Sequence, residues 1–185
     1  MNKHENELFE YLINLENYKN AKELTIELQK VDEKLIELFW EKVEIQANKE
    51  FKKINLTVEL EYNNVDSFNF RFFKKHWNKL VCIGFDDSLD LGIMLRKELY
   101  KKSDIEVLES KYSYLKISSE NNNWFCYDKI KNSKTLDFKH ISSLEHILPE
   151  KSDNLVLLIV EEFIKKSNNW ISICDEINNY NISKN

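Results

Sequence analysis

Glycine and proline are nearly missing from this 185-residue chain, which has 2 Gly and 1 Pro. Phosphate cradles and dinucleotide fingerprints need several glycines for close backbone approach, and neither pattern occurs. Long irregular loops are disfavoured for the same reason. Arginine is scarce as well: of 27 basic residues only Arg71 and Arg96 are Arg. The planar guanidinium fork that reads base edges and phosphates is therefore almost absent. Positive charge is outnumbered, with 32 acidic residues giving a net charge of -5. That argues against direct binding to nucleic acid, whose affinity comes from basic excess. Cys82, Cys126 and Cys174 are few, odd in number and far apart. A disulfide framework or zinc knuckle needs closely spaced pairs, so they read as buried free thiols in a reducing compartment. No apolar run approaches the ~18 residues that cross a bilayer. The start, MNKHENELFE, has no apolar signal core. The expected location is cytoplasmic, with no membrane partner.

What is present is apolar and aromatic: 42% hydrophobic and 12% aromatic residues, enough for one domain with a full core. Residues 68–95 carry three period-two alternations in succession. Phe68, Phe70 and Phe72 form the first, Val81, Ile83 and Phe85 the second, and Leu89, Leu91, Ile93 and Leu95 the third. Such alternation predicts half-buried strands, and the short connections require antiparallel neighbours. Leu56, Val58 and Leu60 predict a strand before them, closed by a turn at Asn63-Asn64. Tyr112, Tyr114 and Ile117 suggest a further strand, 121–123 a loop, and Trp124–Tyr127 another strand. Residues 96–111 suggest a short helix.

Two helical regions flank the strands. A short amphipathic helix is expected over 5–16 and a long one from Ala21 to Lys49. Leu24, Leu28, Val31, Leu35, Leu38 and Phe39 recur at three- and four-residue steps, one apolar stripe on that helix. The long helix would measure about 40 Å, whereas five strands cover about 20–25 Å. The surplus stripe should pack as a hairpin, Leu8 and Leu12 against Leu24 and Leu28, with a dimer as the second option. Pro149 and Asp153 announce a final helix capped by Asp153, with Ser167-Asn168-Asn169 as a candidate interruption. The expectation is a single α+β domain: residues 1–50 helical, 54–127 an antiparallel meander sheet of five to six strands, and 153–180 a C-terminal helix. The long N-terminal helix and the C-terminal helix cover one sheet face.

Phe39-Trp40-Glu41 near a helix end, Lys74-Lys75-His76-Trp77, Ile83-Gly84-Phe85-Asp86 and Leu91-Gly92-Ile93 occur in that order among the strands. This order resembles the C-terminal accessory region of bacterial PD-(D/E)XK nuclease superfamily proteins, over residues 30–175. Asp86 stands where the family tends to have Glu, and Leu91 where it often has Tyr. The nuclease core of that family lies N-terminal to the matching region, so the resemblance implies the accessory half without the cutting half. It implies a non-catalytic module of a bacterial defence, counter-defence or toxin–immunity system, or of a mobile element. The module would be an inhibitor, an immunity protein or an accessory subunit. The partner would be a protein, such as a nucleic-acid-binding toxin or nuclease, whose basic surface an acidic chain can mask. A homodimer is a second option.

The competing chemistry is metal-dependent cleavage. An acid followed by D/E-x-K would hold Mg²⁺ and orient a water, and Asp90 with Glu109-Ser110-Lys111 has workable spacing. The same tripeptide recurs at Asp32-Glu33-Lys34, Glu50-Phe51-Lys52 and Asp137-Phe138-Lys139, as chance gives in a chain with 32% charged residues. Asp86, Asp87 and Asp90 could form an acidic metal box, but Asp and Ser are ordinary turn residues between strands. His140 and His146 stand six apart, not the four-residue step of helical zinc ligands. His76 has no Ser or Cys nucleophile paired with it by any motif. No cofactor is therefore expected, with Mg²⁺ the alternative. Lys74, Lys75, His76 and Trp77 are candidate contact residues at a charged rim, and Leu24 and Leu28 on the surplus stripe. Among Trp40, Trp77, Trp124 and Trp170, Trp77 is expected nearest the surface.

Overall fold

The structure is a computed structural model that describes residues 3–64, 67–77, 81–96, 100–115, 124–131, 134–138 and 141–182. Helix α1 spans Lys3–Leu12 and α2 spans Leu15–Phe51. Asn14 separates them. Its backbone is extended, and its side-chain oxygen accepts hydrogen bonds from the N–H groups of Glu16 and Asn17 at 3.0 and 3.3 Å. This N-cap starts α2 six residues earlier than the apolar spacing suggests. The far end closes with Asn55 in the left-handed conformation at φ 59°, and Leu56 N–H reaches back to Phe51 O at 3.0 Å. Asn tolerates that conformation with little strain.

Five strands follow: β1 Thr57–Asn64, β2 Ser67–Phe73, β3 Val81–Asp86, β4 Asp90–Leu95 and β5 Trp124–Lys129. They form one antiparallel sheet in the order β1-β2-β3-β4-β5, the expected meander. Helix α3, Lys102–Lys111, lies between β4 and β5. A short helix α4, Ile141–Leu144, precedes α5, Ser152–Ile182. None of the helices in the described residues is long and apolar enough to cross a membrane.

Register places one apolar set on one face. Phe70 stands opposite Phe85, Phe72 opposite Ile83, Ile83 opposite Ile93, and Ile93 opposite Cys126. Helices α2 and α5 both cover this face. Phe51 of α2 stacks on Phe72 with centroids 4.5 Å apart. Trp40 lies 4.5 Å from Phe68 and 5.7 Å from Phe70 and Phe85. Phe163 of α5 meets Phe72 at 5.3 Å and Phe85 at 4.8 Å. At the helix–helix contact Lys42 Nζ donates to Ser152 Oγ at 2.8 Å and to Asp153 Oδ1 at 3.0 Å.

Several expectations are corrected. The face of α2 that meets the sheet is Ile36, Phe39, Trp40, Val43, Ala47 and Phe51; of the expected stripe only Phe39 belongs to it, and Leu35 packs at its edge. Successive helical residues are about 100° apart, so the face centred on Ile36, Trp40 and Val43 leaves Leu24, Leu28 and Val31 to solvent. The hairpin is not formed: Leu8, Leu24 and Leu28 are 53%, 61% and 54% exposed. Tyr112–Leu115 is a turn at the end of α3, not a strand, with Leu115 N–H on Tyr112 O. Ile117, the 121–123 loop and His140 lie outside the described residues. Helix α5 runs unbroken through Ser167, which is fully buried. Its first residue is Ser152, so Asp153 stands in the first turn, where a carboxylate suits the positive helix end.

The two glycines are a cross-strand pair, Gly84 opposite Gly92. A methyl on Gly92 would sit 2.0 Å from Cys126 O and 2.6 Å from Tyr127 Cα, both backbone. On Gly84 it would meet the Met94 sulfur at 2.1 Å, the end of a flexible side chain. In urea unfolding, Gly92→Ala should lose roughly 3 kcal/mol or more and Gly84→Ala less than about 1 kcal/mol. Equal losses would show that the backbone clash is relieved by strand movement.

Candidate functional site

The turn after β2 gathers the basic candidates. Lys75–Trp77 forms a single 3₁₀ turn, which brings Lys74, His76 and Trp77 onto one carboxylate of α5. Asp175 Oδ2 accepts from Lys74 Nζ at 2.6 Å, and Asp175 Oδ1 accepts from Trp77 Nε1 at 2.8 Å. His76 Nε2 lies 3.4 Å from the same oxygen. Asn178 donates to His76 O at 3.2 Å, fastening the turn to α5 a second time. Trp77 is 0% exposed. The expected surface contact is thus an internal anchor, because its indole N–H finds an acceptor only by facing α5.

The outward side of this turn borders a cleft of about 740 Å³. Lys52, Lys74 and Lys75 supply its cationic groups, and Asn48, Asn55, Thr57 and the His76 imidazole line it as well. None of its described lining residues is acidic. Such a cleft can accept a carboxylate or phosphate by point charge. Among its described lining residues there is no Cys or Ser. His76 is oriented by Asp175, but the neighbouring Cys174 thiol is fully buried and pushed well above its usual pKa by that burial. Cys126 is likewise raised, to about 11, and all three cysteines are free thiols.

The structure does not unite the cleavage candidates. Asp90 begins β4, where Lys129 Nζ lies 3.4 Å from Asp90 Oδ1. Lys111 ends α3 and pairs with Glu176. Helix α5 measures the separation: Lys166 donates to Lys129 O at 3.0 Å, and Lys166 and Glu176 are about 15 Å apart along the axis. Glu109, two residues before Lys111, belongs to the Glu176 end. Asp90, Glu109 and Lys111 therefore do not form a Mg²⁺ site.

Asp86, Asp87 and Asp90 occupy a hairpin turn, closed by Leu89 N–H on Asp86 O at 2.8 Å, with Leu89 left-handed at φ 59°. Asp87 is exposed, while Asp90 is buried. Lys129 also donates to Ser88 O at 2.8 Å. Its ammonium thus lies against Asp90 and the turn backbone. Among the described residues no group of three His, Cys, Asp or Glu could hold a metal ion.

Sequence reasoning missed Asp175, Lys52 and Thr57. Asp175 had a signal: a carboxylate set among the buried positions Trp170, Ile173, Cys174 and Ile177 needs internal partners. Lys52 and Thr57 had none, since only the fold brings them beside Lys74. Comparison with family models, curated proteins and solved structures returns no match.

Burial opposes ionisation of Asp175, but Lys74, Trp77 and His76 outweigh it and hold its pKa below the usual carboxylate value. That contribution is present above about pH 4 and is lost as pH falls through the lowered folded value. Asp175→Ala should cost about 2 kcal/mol at neutral pH, because it strands a buried indole N–H, and should flatten the acid limb of the stability profile. An unchanged acid limb would show that other carboxylates carry it. Asp86 has the opposite sign. Burial, reinforced by Asp87, raises it to about 6. Its charge destabilises the fold above that pH and the penalty disappears on acidification. Asp86→Asn should raise stability at pH 8 by on the order of 1 kcal/mol, discounted for partial exposure, with no gain near pH 4.

Proposed function

We propose that the chain is a non-catalytic protein-binding module of a bacterial defence, counter-defence or toxin–immunity system, acting as an inhibitor, an immunity protein or an accessory subunit. One observation carries the binding part. The buried residues of α2 begin at Ile36 with Leu35 packed beside it, so residues 15–34 run about 30 Å beyond the core. Along that arm Leu24, Leu28 and Val31 are all more than half exposed. A contiguous apolar stripe held in water marks an interaction surface. The defence context rests on the resemblance carried by Phe39-Trp40-Glu41, Lys74–Trp77, Ile83–Asp86 and Leu91–Ile93. The net charge of -5 suits a partner with a basic surface, such as a nucleic-acid-binding toxin or nuclease.

Affinity capture with the full chain from a native lysate should recover a stoichiometric protein, either a foreign partner or a second copy. Leu24→Asp with Leu28→Asp should abolish recovery while shifting the melting temperature by only a few degrees, because neither side chain is in the core. Recovery of nothing, together with a monomeric chain, would end this reading.

A further inference from the structure

We infer that the exposed arm is one half of an antiparallel coiled coil, and that its occupant is a second copy of this chain. The inference rests on the protein-binding reading above and names the partner. Ala21, Leu24, Leu28, Val31, Leu35 and Leu38 follow one another at alternating steps of three and four. This is the a/d spacing of a coiled-coil seam, a period of 3.5 that differs from the simple amphipathic stripe of a globular helix. The next two seam positions are Lys42 and Ile45, and Ile45 is 71% exposed.

The seam does not stop where the core begins. It runs on into a groove between α2 and the segment leading into α5. There, hollows of about 180 and 270 Å³ are floored by Leu35, Leu38 and Ile45 on one side and by Ile147, Val156 and Leu157 on the other. A second helix laid along the arm is therefore seated by the globular body as well. Only an antiparallel copy places the arm of each chain in the groove of the other.

Charges flanking the seam select the register. With Leu28 opposite Val31 of the second copy, Leu24 meets Leu35 and Ala21 meets Leu38. Glu27 then flanks Lys34 of the second copy, and the pair occurs twice by symmetry. Lys42 faces Asn17. A shift of one heptad in either direction sets Glu27 against Glu27, or Lys34 against Lys34 and Glu27 against Glu41. A parallel pair sets Glu27 beside Asp32 and Lys42 against Lys42. In the monomer these flanking charges hold only exposed local pairs, Lys30 with Glu27 at 2.7 Å and Lys34 with Glu37 at 2.6 Å. Such pairs contribute little and exchange readily.

Light scattering coupled to size exclusion, over low to high micromolar concentrations of the full chain, should give twice the monomer mass. Glu27→Lys alone and Lys34→Glu alone should each weaken self-association roughly tenfold or more, and the double charge swap should restore it. Leu28→Asp should leave a folded monomer by circular dichroism. A chain monomeric at every concentration overturns the inference, and so does a dimer indifferent to Leu28→Asp. Strengthened association on Glu27→Lys overturns it too, since that is the parallel response. A monomer that still captures a different protein through Leu28 overturns this inference and leaves the protein-binding reading standing. A monomer that captures nothing ends both.

Discussion

The aromatic layer between the sheet and its two helices is the contact on which the rest of this structure depends. Phe70, Phe72 and Phe85 project from β2 and β3. Trp40 and Phe51 close on them from α2, and Phe163 from α5. Each ring buries a large area, and tilted or edge-on pairs add specific geometry. Because α2 must present Trp40 and Phe51 here, its roll about its own axis is set. The leucine seam, about a third of a turn away, is then left outside. The exposed arm follows from the best-packed part of the core.

The same layer explains why the basic turn is so firmly held. Covering the sheet with α5 brings Asp175 beneath the β2–β3 connection, where it takes hydrogen bonds from both Lys74 and Trp77. A half-buried carboxylate with two donors stays ionised and fixes the turn. Its cationic remainder faces the cleft beside Lys52. Whatever meets that cleft meets a rigid arrangement of charge, not mobile lysines alone. The acidic hairpin at Asp86–Asp90 lies elsewhere, and Lys129 from β5 stands against its Asp90 end. Metal-like spacing in the sequence becomes an internal ion pair once the strands are aligned.

Much of the fold was legible in the chain. The Phe68–Leu95 alternation determined an antiparallel meander, because period two sets the buried face and short connections leave no room for crossovers. The apolar spacing also marked both long helices, though not that the last one runs unbroken through Ser167. The heptad steps from Ala21 to Ile45 were also in the sequence. Tertiary structure alone decided which of two apolar faces on α2 enters the core, because spacing marks a stripe as apolar without naming what covers it. Tertiary structure also decided that Trp77 is an anchor, that Asp90 and Lys111 lie beside different stretches of α5, and that Lys52 joins Lys74 at the cleft. Those relations depend on distances between residues remote in the chain, and these arise only when the sheet and its helices pack.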